Sequence, residues 1–518
     1  MKSILKINKF VALFILFALL CVNNSKAQTP VNILDQNITF YADNEPLEDV
    51  IKRICEQFNL DLDYNSRLIR NKRVSLNVSN KSVQEVLNSL MDDYFLIFEI
   101  DNNILMVRDY VPMSQHIDYE ALYNTTSSGF LFDNPRRRWV DIEFKKISNL
   151  IILPVSINNS DTMNFILDTG VSDPIITELT LVEKLNLNYM QAINLRGLGS
   201  DSTTQAYQSG NNIISIPGIS VKEQKINVVL DENFQISQIL GMPVHGLIGF
   251  NLFRHYIVQV DYNRERIRLY KPQDFTYKPR RNDIVLPIQF IRNRPVIKSE
   301  IVQETGEVIP VNLLVDTGAS DAIWLSVRSD SSIIIPENNI YAYLGSGLGG
   351  ELFGYKGRIS ALWLGGHPIP APIASYPEAA YYNRSIYADN RNGSIGGEVL
   401  RRFTVTFDYY NNRIILRPNS AIRERFNYNM SGLEIINPVP GIPVFTVSNV
   451  IEDSPAWEAG LRKYDQVLAL NHRSHSNLTL NDINLALKAR ENRRIRMTVL
   501  RNGEKITTTF RLSDPFKK

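Results

Sequence analysis

The chain is short of cysteine, of histidine and of any surplus of charge, and each shortage excludes a class of protein. Its 518 residues hold two cysteines and six histidines, and 56 Lys and Arg stand against 54 Asp and Glu for a net charge of +2. That balance lacks the concentrated basic face of a nucleic-acid binder. Arg136-Arg137-Arg138 and Arg493-Arg494 are short, scattered and read as solvated surface. His245 and His255 stand ten apart, with no His-Glu-x-x-His and no cysteine pair at ligand spacing, so no metal site is expected. No Gly-x-Ser-x-Gly elbow and no Gly-Lys-Ser/Thr phosphate loop is present, and no cofactor is expected.

Long apolar runs are equally scarce. The single one, Phe10 to Cys21, follows Lys2, Lys6 and Lys9 and precedes Ser25-Lys26-Ala27. That order predicts a secretory signal peptide over 1–27, cut after Ala27. Twelve apolar residues fall short of the ~30 Å of a bilayer core, so no integral membrane segment is expected after cleavage. Leu20 before Cys21 is not the small residue that a lipid-anchor signal needs. The mature chain keeps Cys55 alone, and without an internal disulfide its cores must hold by packing. Cys55 falls on an apolar helical face and reads as a small buried hydrophobe.

What is present, 44% apolar and 21% charged residues, suits several packed domains of about 100–200 residues each. The first, 28–112, reads as α+β. Ile38-Thr39-Phe40 opens a strand, and Leu47, Val50, Ile51, Ile54, Cys55 and Phe58 keep helical spacing. Val74, Leu76 and Val78 alternate, and Val83, Val86, Leu87 and Leu90 mark a second helix capped by Ser82. Strands near Phe95–Ile100 and Leu105–Val107 close a β-α-β-α-β-β order. With the phrases ITFYADNEPLEDVIKRICEQFNLDLDYN and VSLNVSNKSVQEVLNSLM, this unit resembles the short N-terminal (STN) domain of secretins and TonB-dependent transducers. The resemblance implies a docking module for a Gram-negative envelope partner. A generic α+β fold without a partner is the plainer reading.

The middle of the chain repeats. Asp168-Thr169-Gly170 returns 148 residues later as Asp316-Thr317-Gly318, each copy after an apolar strand. Leu247-Ile248-Gly249 returns as Ser394-Ile395-Gly396, and HYIVQVDYNRERIRLY returns as RFTVTFDYYNNRIILR. A glycine-rich tip lies 29 residues past each Asp: Gly197-Leu198-Gly199 and Gly345-Ser346-Gly347-Leu348-Gly349. Landmarks in register predict two homologous lobes, 113–280 and 281–420, whose matching stretches run near 139–278 and 282–418. Both read as β, with one short helix each at Asn251–His255 and Glu398–Arg402.

The last unit, 428–518, opens with SGLEI, continues through GIPVFTVSNVIEDSPAWEAGLRKYDQVLALN, and adds a helix near Leu480–Arg490 and two strands. It resembles a PDZ domain, with Tyr464 where a glycine is usual. The resemblance makes Gly432, Leu433, Glu434 and Ile435 the carboxylate-binding loop, which receives a peptide C-terminus while the peptide adds a strand at the sheet edge.

On the paired Asp-Thr-Gly copies, the middle resembles pepsin-like and retropepsin-like aspartic proteases with two lobes fused in one chain. The expected architecture is therefore multidomain and mainly β: a bilobal aspartic-protease fold, preceded by the small α+β domain and followed by the PDZ domain. The resemblance implies a catalytic pair, Asp168 and Asp316. Two carboxyls face to face cannot easily both ionise, so they share a proton. One takes a proton from a bridging water while the other polarises the carbonyl. Thr169 and Thr317 would lock the carboxyls across the lobe interface, and Gly170 and Gly318 would offer N–H groups. Ile248-Gly249 and Ile395-Gly396 would back the two turns.

Three residues past each Asp stand Val171 and Ala319, neither with a hydroxyl, which predicts raised carboxyl pKa values and activity at weakly acidic to neutral pH. The glycine-rich tips read as flaps, with Leu348 at the second tip, or as ordinary hairpins with tight turns. The expected function is a periplasmic or secreted aspartic endopeptidase acting on polypeptides. The competing reading is a non-catalytic scaffold that uses the lobes and PDZ for peptide recognition. Intact Asp-Thr-Gly in both lobes favours the enzyme.

Overall fold

A computed structural model of the chain describes residues 33–64, 69, 72–92, 96–101, 103–109, 129–187, 190–195, 204–229, 236–347, 350–378, 381 and 391–517. The stretch read as a signal peptide lies outside them. The chain divides into two units between Tyr110 and Val111.

In the first unit, strand Asn37–Pro46 alternates, burying Ile38, Phe40 and Ala42. Helix Leu47–Phe58 buries Leu47, Val50, Ile51, Ile54 and Cys55, one face at helical spacing, and stops at Asn59 in the left-handed region. Burial pushes the Cys55 thiol up to about 11. Helix Val83–Asp92 starts in a capping box: Glu85 N–H donates to Ser82 Oγ (3.2 Å) and Ser82 N–H to Glu85 Oε2 (3.0 Å). Asn37–Pro46 pairs with Arg73–Ser82, and Leu96–Asp101 pairs with Ile104–Asp109. One further strand departs from the expected order. Asp61–Tyr64, only partly buried, runs parallel to Ile104–Asp109. Its Asp-Leu-Asp-Tyr sequence alternates, but over only four residues, too few to stand out in sequence.

The second unit is built on a pseudo-symmetric plan. Hairpin Leu150–Ile157/Met163–Leu167 delivers the chain to Asp168, and hairpin Arg294–Val302/Val308–Val315 delivers it to Asp316. Each delivering strand lies parallel to a three-residue strand, Gly246–Ile248 or Gly393–Ile395. A six-stranded sheet joins the halves, taking three strands from each: Trp139–Glu143, Arg266–Tyr270 and Ile257–Asp261, then Phe403–Asp408, Arg413–Pro418 and Ile284–Pro287. At its centre Val258 faces Phe407 and Val260 faces Val405. Phe253 of one half packs on Phe407 and Tyr409 of the other, with centroids 4.9 and 5.5 Å apart. The two expected short helices are single turns, Phe250–Phe253 and Gly397–Leu400, each beginning directly after the landmark glycine.

The C-terminal sheet runs Leu433–Ile436, Phe445–Val450, Gln466–Leu470, Arg494–Arg501, Glu504–Arg511, so Leu433–Ile436 is an edge. Its long helix, Leu480–Leu487, starts in a Thr479/Asp482 capping box and ends earlier than expected. Tyr464 takes φ +74°, the conformation that makes glycine usual at its place. The end of the chain ties this domain to the second lobe: Phe516 joins the core of the lobes and packs on Tyr428 at 5.6 Å, and Asp514 lies 3.5 Å from Arg358.

Candidate active site

Each Asp-Thr-Gly turn is held by the landmark strand behind it. Asp168 N–H donates to Ile248 O at 2.8 Å, and Asp316 N–H to Ile395 O at 2.9 Å. The next residue of each landmark passes so close that only glycine fits. A Cβ on Gly249 would lie 1.9 Å from Asp168 O, and one on Gly396 would lie 2.3 Å from Asp321 O. Within the turns, Gly170 N–H donates to Asp168 Oδ1 (2.7 Å) and Gly318 N–H to Asp316 Oδ1 (2.9 Å). The two turns face each other: a Cβ on Gly318 would stand 2.4 Å from the Asp168 carboxyl carbon.

The threonines cross between the lobes. Thr169 Oγ1 donates to Val315 O (2.5 Å) and accepts from Thr317 N–H (3.1 Å). Thr317 Oγ1 donates to Leu167 O (2.8 Å) and accepts from Thr169 N–H (3.1 Å). Both threonines are 1% exposed, so four buried polar groups are satisfied by two hydroxyls. A second pair of bonds flanks them: Arg294 Nε donates to Gly170 O (3.1 Å), and Asn149 Nδ2 donates to Ser320 O (3.0 Å).

Asp168 and Asp316 line one cavity of about 320 Å³. Burial first, and the neighbouring Asp316 charge second, push Asp168 up to about 7, against the pull of Gly170 N–H and Arg294. Burial also raises Asp316, opposed by the N–H of Gly318, by Arg391 and by the N–H of Ala319. Val171 and Ala319 line the cavity and bring no side-chain donor to either carboxylate. Asp321 behaves oppositely. Burial works against its charge, yet the Lys356 ammonium at 2.6 Å, with Ser375 Oγ at 2.7 Å, holds it below the usual carboxylate value.

Aliphatic side chains wall the first-lobe side, among them Leu150, Ile166 and Leu247, with Ile236, Ile239 and Leu240 from the short helix Ile236–Leu240. The second-lobe hairpin Asn339–Gly347/Gly350–Arg358 closes over the other side through Leu344, Gly345, Ser346, Gly347 and Leu352. Gly345 has φ +140° there. Leu348 and Gly349, and the first-lobe tip Gly197-Leu198-Gly199, lie outside the described residues.

The PDZ loop residues stand apart from the cavity. Gly432, at φ +79°, packs on Ser454, while Leu433 and Ile435 are in the PDZ core. Glu434 is raised by burial, with Asn449 and Lys356 opposing. Sequence reasoning passed over Arg294, Arg391, Asp321 and the Ile236–Leu240 helix. For Asp321 a signal existed, because Asp173 and Asp321 both stand five residues past the repeated Asp. Among the described residues no cluster of His, Cys, Asp and Glu could hold a metal ion.

A family profile described as aspartyl protease matches residues 153–252. The chain contains an aspartyl protease domain. The matched stretch holds the first Asp-Thr-Gly turn and its landmark, and the internal repeat relates the second turn to them. A PDZ domain profile matches 426–512, and one described as FecR, C-terminal, matches 39–107, the stretch that resembles STN. No curated protein matches the chain. Among solved structures it is similar to the aspartic proteinase from Irpex lacteus, at 12% identity over 55% of this chain and 99% of that one. The TM-score is 0.35, a superposition too loose to argue from. No helix among the described residues is long and apolar enough to cross a membrane.

Proposed function

We propose that the chain is an exported aspartic endopeptidase of the Gram-negative envelope, which hydrolyses extended polypeptides with a water activated between Asp168 and Asp316. The observation that carries this reading is the meeting of two Asp-Thr-Gly turns at one apolar-walled cavity, cross-bonded through their threonines. Burial and mutual repulsion keep one proton on the pair where ordinary carboxylates are both ionised. The ionised member takes a proton from the water as it attacks the scissile carbonyl carbon. The protonated member hydrogen-bonds the carbonyl oxygen, and a proton then passes to the departing nitrogen. Gly170 and Gly318 steady the carboxylates from below, and the second-lobe hairpin excludes bulk water above.

In this reading 113–280 and 281–420 are the two protease lobes, 428–518 recruits a peptide C-terminus or strand, and 28–112 docks an envelope partner. Incubating the mature chain with a peptide library at pH 4–7.5 tests it. Wild type should cleave, and Asp168→Asn and Asp316→Asn should not. Cleavage surviving in both variants removes the pair from the chemistry. Tight capture without cleavage by wild type makes the lobes a recognition shell.

A further inference from the structure

The PDZ groove and the cleft share one short segment of the first lobe. A peptide adds to a PDZ domain along the open edge of the loop-bearing strand, beside the long helix. Here those elements are Leu433–Ile436 and Leu480–Leu487. A peptide whose carboxylate sits at Gly432–Leu433 and runs antiparallel along the strand reaches Asn437 about four residues from its end.

That end of the groove is already filled from within the chain. Asn437 N–H donates to Gln238 O at 2.9 Å, and its side-chain amide reaches Gly241 O at 3.5 Å. Gly241, at φ +72°, lies against the first residue of the PDZ helix, where a Cβ would stand 2.5 Å from Leu480 Cβ. Beside it, Ser148 N–H donates to Asn481 Oδ1 at 3.4 Å. The inserted segment is closed on itself, because Ser237 Oγ accepts from Val244 N–H (2.9 Å) and donates to Val244 O (3.1 Å). Its other side is the cleft wall: Ile236, Ile239 and Leu240 line the cavity that holds Asp168 and Asp316.

We propose that residues 236–243 are an internal ligand of the PDZ groove, and that a peptide entering the groove expels them and with them the part of the cleft's aliphatic wall that Ile236, Ile239 and Leu240 supply. Peptide binding at the PDZ domain and substrate binding in the cleft are then antagonistic, by the same factor in both directions. The consequence for the cleft rests on the function proposed above. The occupation of the groove does not.

Hydrogen exchange on the full-length wild-type chain tests the coupling. The probe is a pool of random decapeptides with free C-terminal carboxylates, and the amidated pool is the control. The acid pool should protect Leu433–Ile436 and speed exchange across 236–244 and at Asn437, while raising KM for a cleaved peptide about tenfold. The amidated pool should do neither. Gly241→Leu, which cannot seat against Leu480, should bind the acid pool about tenfold more tightly. Protection of the strand with unchanged exchange at 236–244, or no binding of the acid pool at the strand, overturns the proposal. If the chain cleaves nothing, the exchange measurement still decides whether the groove is internally occupied.

Discussion

Replacing Thr317 with valine removes one hydroxyl and almost no volume, so it isolates the bonds between the lobes. That hydroxyl serves two buried groups, accepting from Thr169 N–H at 3.1 Å and donating to Leu167 O at 2.8 Å. Thr317 is 1% exposed, so water cannot replace the lost partner. Two unpaired buried groups cost roughly 1–3 kcal/mol each, which gives a loss of about 2–6 kcal/mol for Thr317→Val. Thr317→Ser keeps both bonds and gives up one methyl, a loss of about 1 kcal/mol. Urea unfolding of the chain, followed by a probe of the lobes, reads the difference. The Thr169→Val/Thr317→Val double variant should lose less than the sum of the singles, because the first break already loosens the geometry the second bond needs. Cleavage by Thr317→Val should fall about 10- to 100-fold, since the carboxyls lose their fixed separation. Valine and serine variants of equal stability would refute the role assigned to the hydroxyl.

Other perturbations have equally definite outcomes. Gly318→Ala places a methyl 2.4 Å from the Asp168 carboxyl carbon, so cleavage should be abolished in a steady-state assay while the PDZ domain stays folded by NMR. For Asp168 the folded pKa is raised to about 7, so its favourable contribution is full below the ordinary carboxylate value and is lost as pH rises toward 7. Melting curves should therefore show Asp168→Asn gaining on wild type between pH 4 and 7.5, by about 2–4 kcal/mol at the upper end. By the same titration, kcat/KM of wild type should decline above about pH 7, and a profile peaking below pH 4 would contradict it. In the PDZ domain, Asp465 is fully buried and bound by Arg501 Nε and Nη2 at 2.6 Å each and by Arg462 N–H at 2.9 Å. Asp465→Ala should destabilise that domain by about 1–3 kcal/mol in thermal unfolding, because the hydrogen bonds that the carboxylate accepts from Arg501 and Arg462 are lost.

The plan of the middle region was legible because it is written twice. An apolar strand, an Asp-Thr-Gly turn and an apolar-Gly landmark recur in register, and local periodicity and glycine placement carry that information. The joining sheet was not legible as a sheet. Across the join Ile257–Asp261 pairs with Phe403–Asp408, and pairing between segments so far apart leaves no mark on either one beyond alternation. Strand Asp61–Tyr64 escaped because its alternation of exposed Asp61 and Asp63 with half-buried Leu62 and Tyr64 runs for only four residues. The Ile236–Leu240 helix is too short to show one, yet it touches both the cleft and the PDZ groove. The bare side chains of Val171 and Ala319 pointed toward raised carboxyl pKa values. Their larger cause is burial, which only the packed walls reveal.

In the proposed chemistry the two repeated aspartates hold one proton between them. Neutron diffraction from deuterated crystals of the protein near pH 5.5 counts that proton directly. One deuteron located between the Asp168 and Asp316 carboxyls is the predicted result; two deuterons, none, or carboxyls each solvated on its own would contradict it.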